Sequence, residues 1–162
     1  MKSRFAVSLL FILIAANILA SNGAATFEKL KALPRSWAGT CPGSRVVQVL
    51  NRIVSDAAAL ISQVRGDENK QTVIHLDDDR LMFTQHRSAG NQPRMIGTVS
   101  PDGKTITFST FDATGLLTSP EEHMQHIVFN LIDSDHHSES VDFAIGDIKR
   151  LMQESLDLRR GK

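Results

Sequence analysis

Ala89-Gly90-Asn91-Gln92-Pro93-Arg94-Met95, the turn Pro101-Asp102-Gly103, Phe111-Asp112-Ala113-Thr114, His123-Met124-Gln125-His126 and Asp133-Ser134-Asp135-His136 all fall within residues 89–139. Between them run short apolar segments rich in Val, Ile, Thr and Phe, the residue types of a pleated, half-buried strand. Polar groups sit where the turns meet the strands. A small antiparallel barrel is built in this way, with a few polar groups around a cavity.

The same pattern extends upstream. Ser36 to Cys41, Arg45 to Val54, Ala59 to Arg65, Gln71 to Leu76 and Arg80 to His86 read as strands, followed by Pro93 to Ser100, Lys104 to Phe111, His126 to Ile132 and His137 to Phe143. Pro42-Gly43, Gly66-Asp67-Glu68-Asn69, Asp77-Asp78-Asp79, Pro101-Asp102-Gly103 and Asp133-Ser134-Asp135 supply tight turns between them. Strands joined so closely must run antiparallel, because parallel pairs need long crossovers. The fold class is therefore mainly β, an up-and-down meander of about 8–10 strands. Closing it into a barrel removes both sheet edges; a two-sheet sandwich is the alternative.

Helices are expected at three places. Phe27, Leu30 and Leu33 share a helical face, with Thr26 as N-cap and Pro34 as stop. Ser119-Pro120-Glu121-Glu122 suits a short helix over 119–124. Ile148, Leu151, Met152 and Leu156 follow helical spacing, so 147–160 reads as a C-terminal helix or as a final strand.

The first 25 residues read as a secretory signal: Lys2 and Arg4, an apolar run from Phe5 to Ile14 interrupted by Ser8, then small and polar residues. Ala20 and Ala25 both suit cleavage. Residues 26–162 then form one domain, exported to a bacterial periplasm or beyond, with no membrane attachment after cleavage. The formal net charge is zero for the whole chain. Losing Lys2 and Arg4 with no acid takes it to −2, which gives no pull toward nucleic acid. The single cysteine, Cys41, excludes an internal disulfide and has no cation or base beside it in sequence to activate its thiol.

Alternation gives the interior face. Ile106 and Phe108 share one face, and Ile127, Phe129 and Leu131 share another. His137, Glu139, Val141, Phe143 and Ile145 form a face that passes from polar to apolar along one strand, as at the entrance to a cavity. Six histidines are present. His123 and His126 are weak candidates for metal ligands, with His86, His136 or Glu139 as a third. No metal signature is matched, so neither a metal nor another cofactor is expected. Asp77-Asp78-Asp79 lacks the glycine and terminal glutamate of a calcium loop. There is no Gly-x-Ser-x-Gly elbow.

Ala89 to Met95, Asp112-Ala113-Thr114, His123-Met124 with His126, and Asp133-x-Asp135-His136-x-x-Glu139 resemble exported bacterial lipocalin-like, or calycin-like, domains of the DUF1579 type. Phe27 to Leu33 followed by Trp37-x-Gly39 is similar to that family's opening helix and first strand. The resemblance covers residues 26 to 143. It implies a small closed β-barrel with an interior cavity, and no established activity. The family usually carries an aromatic residue near Val141, which this chain lacks, and tends to finish with another strand.

The expected function is binding of a small, partly apolar molecule among Met95, Ile106, Phe108, Phe129 and Phe143. Asn91, Arg94, His123, His126, His136 and Glu139 would orient it from the rim. Arg94 either points into the barrel toward an anionic head group or out into water. One alternative is an enzyme, hydrolase or isomerase-like, with His136 and Glu139, or His123 and His126, as its acid/base or metal pair. Another is an interaction domain without a pocket. Composition does not give the oligomeric state.

Overall fold

The computed structural model describes residues 23–33, 35–41, 45–66, 69–88, 90–114, 122–145 and 148–161. One helix, α1 (Gly23–Ala32), precedes ten strands: β1 (Ser36–Cys41), β2 (Arg45–Val54), β3 (Ala59–Arg65), β4 (Lys70–Asp77), β5 (Arg80–His86), β6 (Gln92–Val99), β7 (Thr105–Thr114), β8 (Glu122–Asp133), β9 (His136–Ile145) and β10 (Ile148–Arg160). Every strand pairs antiparallel with its neighbour in sequence, and β1 pairs with β10 to close the barrel. Closure leaves no free edge, as the short turns predict.

Alternation fixes what points inward. Ile106 and Phe108 of β7, Ile127 and Phe129 of β8, and Phe143 of β9 are buried with Phe83 and Met95 in one core. Phe108 meets Phe83 at 5.0 Å between ring centroids and Phe129 at 5.6 Å. Each such side chain stabilises the fold by about 1.5–3 kcal/mol through burial. Met124 and Ile127 are both inside although three residues apart, because the register slips between Met124 and His126. The Thr110 hydroxyl meets the carbonyls of this bulge, 2.6 Å from Met124 O and 3.1 Å from Gln125 O.

A second, smaller core of Trp37, Val47, Val49 and Leu158 lines the closing seam. β1 and β10 approach so closely there that a Cβ on Gly39 would lie 1.9 Å from Asp157 O. Only glycine fits that position.

α1 buries Phe27 and Leu30 in the main core, and Leu33 just beyond it touches both cores. It packs against β4, β5 and β6. Lys31 Nζ donates to Ala57 O at 3.3 Å, tying the helix to the β2–β3 turn. That turn is strained: Ser55, Asp56 and Ala57 all have left-handed backbones, with Ala57 at φ 69°.

The helices are where sequence and structure differ. α1 begins at Gly23, so Thr26 is not its cap but a buried residue of its interior. Glu122 to Met124 belong to β8 rather than to a short helix; residues 115–121 lie outside the described set. The C-terminal segment is the final strand, not a helix. Its pairing with β9 shifts between Ile148 and Met152. That irregularity breaks the two-residue period and lets the apolar positions imitate helical spacing.

Candidate functional site

Four polar residues stand side by side inside the barrel. Asn51 of β2 is directly opposite Ser62 of β3, Ser62 opposite Thr72 of β4, and Thr72 opposite Gln85 of β5. All four line one interior cavity. The row of Leu60, Ile74, Phe83 and Met95 runs beside them and is wholly apolar. The polar row is therefore a narrow belt across the β2–β5 wall of the cavity.

His137 and Glu139 of β9 line the same cavity. Both are buried, at 3% and 8% exposure, and His137 Nε2 lies 3.1 Å from Glu139 Oε1. The His137 ring is held by Trp37, edge-on at 4.2 Å between centroids. Across the cavity, Gln85 Nε2 donates to Thr72 Oγ1 over a long 3.4 Å.

Two polar atoms of the lining have no hydrogen-bond partner among the described residues: Gln85 Oε1 and His137 Nδ1. A buried polar atom without a partner costs about 1–3 kcal/mol. Such atoms are uncommon in folded proteins and need a reason.

The cavity is small, about 40 Å³. At roughly 10–15 Å³ per water this is room for about three. Its apolar walls include Leu30 and Leu33 from the helical segment, with Phe83, Ile127 and Phe129. Of the side chains expected to line the interior site, Phe129 does so. Met95, Ile106, Phe108 and Phe143 are instead packed into the core and do not line the cavity, whose walls come from β2–β5, β8, β9 and the helical segment.

The six expected site residues do not converge. Glu139 faces the cavity, but its partner is His137, not His136. His136 is on the other face of β9, with Nε2 2.9 Å from Asp157 Oδ1. Arg94 points outward, where Asp112 grips it through both Nε and a terminal nitrogen. That carboxylate, by hydrogen bonding first and by charge second, holds the guanidinium proton more tightly than usual. His126 is exposed, 3.2 Å from the Ser109 hydroxyl. Asn91 is buried in the β5–β6 connection and does not line the cavity. The backbone of His123 pairs opposite Ala144 in the β8–β9 ladder, and its side chain lies outside the described set. Among the described residues, no three His, Cys, Asp or Glu side chains come together as a metal site.

The barrel resembles a solved structure. The crystal structure of Rv2717c from M. tuberculosis superposes with a TM-score of 0.64 at 17% identity, over 86% of this chain and 99% of that one. This likeness supports the barrel fold. No protein-family model matches the chain, and no curated protein matches it. The expected family resemblance is thus supported at the level of the barrel.

Proposed function

We propose that the protein is an exported binding module that holds a small, partly apolar molecule inside the barrel, with its polar end on the belt. The observation that carries this reading is the pair of buried, unpartnered atoms, Gln85 Oε1 and His137 Nδ1, on one cavity. A ligand offering a donor to Gln85 would relieve the first, and the imidazole can serve as donor or acceptor for the second. Leu30, Leu33, Phe83 and Phe129 would take the apolar part. A ligand larger than the present cavity enters by displacing Leu30 and Leu33, the part of the wall that belongs to no strand.

Native mass spectrometry of the protein purified from its host tests the reading. The wild type should carry a bound small molecule, and a Thr72→Val, Gln85→Met double variant should not. A bare chain in both would refute it.

A second reading has its own observation. His137 is oriented by a buried carboxylate on one nitrogen and is unpartnered on the other, the layout of a general base. An interior proton-transfer site would use these two residues, and Glu139→Gln would then abolish turnover of any bound substrate while leaving it bound.

A further inference from the structure

The open polar atoms of the interior cavity are of one kind. Glu139 faces it with a carboxylate, which can only accept hydrogen bonds. The hydrogen between Glu139 Oε1 and His137 Nε2, 3.1 Å apart, therefore sits on the imidazole nitrogen. In the neutral ring this leaves Nδ1 as an acceptor, and Nδ1 is buried without a partner among the described residues. On β5, Gln85 gives its amide nitrogen to Thr72 Oγ1, so the atom it leaves open is again an acceptor, Oε1. Both side chains are deeply buried, with His137 3% and Gln85 5% exposed. The hydroxyls of Ser62 and Thr72 on the same belt can accept as well.

The apolar walls suit a cation. Phe83 and Phe129 both line the cavity, with ring centroids 6.4 Å apart, and Phe129 lies 6.4 Å from the His137 ring. An aromatic face attracts a cation held within about 6 Å of its centroid. None of the described lining residues is a lysine or an arginine. The charge of buried Glu139 is thus met by an imidazole alone among the described residues. A ligand carboxylate would place a second anion beside Glu139 and bring no hydrogen to donate. An alcohol brings one hydrogen for two unpartnered acceptors, whereas a primary ammonium brings three.

We propose that the interior site takes a short-chain primary alkylammonium. Its hydrogens are shared among Gln85 Oε1, His137 Nδ1 and the Glu139 carboxylate, and its chain lies against Phe83 and Phe129. Such an amine is charged at neutral pH, as a lysine side chain is. The present cavity of about 40 Å³, with room for about three waters, sets the length near that of ethyl- or propylammonium. Longer chains require Leu30 and Leu33 to move. This inference rests on the interior-binding reading and adds the chemical class of the ligand to it.

The test is a pair of titrations followed by amide NMR on the isotope-labelled protein as its host processes it, at fixed pH and ionic strength. The probes are propylammonium and 1-propanol, which share shape and differ in charge and in hydrogens to donate. Propylammonium should give saturable shifts at Thr72, Gln85, His137 and Glu139, with 1-propanol at least about tenfold weaker. Glu139→Gln keeps the shape of the side chain and should reduce propylammonium to the level of the alcohol. If that variant does not fold, Gln85→Met replaces it: losing Oε1 should weaken propylammonium about tenfold. Equal binding of the two probes, undiminished propylammonium binding by the folded variant, shifts confined to the outer wall, or no saturable shift would each overturn the assignment. Equal binding at the cavity residues would leave interior binding standing, whereas a host-purified protein with no bound mass would count against interior binding itself.

Discussion

Replacing Thr72 and Gln85 together, as Thr72→Val and Gln85→Met, should make the barrel more stable and remove its ligand. Both substitutions keep shape and delete polarity. Gln85 is 5% exposed, and its Oε1 has no partner among the described residues. Burial of that acceptor costs about 1–3 kcal/mol, which the variant recovers. Its amide nitrogen gives up a 3.4 Å bond to Thr72 Oγ1. A bond so long contributes at the low end of the usual range, about 0.5 kcal/mol. Changing Thr72 as well avoids leaving its hydroxyl without that partner. The balance is a gain of about 0.5–2.5 kcal/mol, or roughly 1–10 °C in Tm for a domain of this size. The assay is a calorimetric melt at neutral pH on protein stripped of ligand by unfolding and refolding. A Tm lower than wild type by more than about 3 °C would refute the reasoning. The belt would then be a satisfied structural network rather than a site held at a cost to stability.

Four further outcomes follow from particular contacts. Glu139→Leu removes the acceptor beside buried His137 and should cost about 1–3 kcal/mol in urea unfolding; no change would mean the pair is not formed. Gly39→Ala drives a Cβ into Asp157 O, so β1 should separate from β10, with a loss above about 4 kcal/mol or no soluble barrel by circular dichroism. Ala57→Gly relieves a left-handed alanine and should raise stability by about 0.5–1 kcal/mol in the same urea experiment. Asp102 accepts hydrogen bonds from the Ser100 hydroxyl and from the Lys104 backbone, which hold its carboxyl below the usual range. Its contribution is present above the unfolded pKa near 4 and disappears as pH falls through the lower folded value. Asp102→Asn should therefore lower Tm at pH 6, and the difference from wild type should shrink as the pH is taken down below about 4.

The barrel was legible because turn chemistry and two-residue alternation agree over most of the chain. β7 shows it best: Pro101-Asp102-Gly103 marks its start and Ile106 and Phe108 mark its inner face. β10 reads as a strand only as one of two alternatives, because an irregularity in pairing between Ile148 and Met152 shifts the phase. The polar-to-apolar face of β9 is legible as interior, and Glu139 on it does face the cavity. His137 shares that face and is its true partner. Arg94 looked functional inside a conspicuous run, yet its pairing with Asp112 satisfies it on the outside. The belt was missed because no one of Asn51, Ser62, Thr72 and Gln85 is unusual in its own strand. The signal lies between strands: reflecting each residue through the intervening turn brings all four into one row. A polar residue at the same interior level of four consecutive strands is what a fold built for packing alone would avoid.

The closing seam sets the order in which the barrel can assemble. Every other ladder joins strands adjacent in sequence, so each hairpin can zip as its turn forms. The β1–β10 ladder instead joins Trp37 to Arg160, near opposite ends of the domain. Contacts so distant along the chain form late, after the loop between them has already been shortened by local pairing. Until they form, β1 and β10 are two unprotected edges able to recruit another chain. The tight fit at Gly39 and the Trp37–Leu158 contact surface therefore act as a latch engaged at the last step. Their weakening should first appear as slower completion of folding and as aggregation during it.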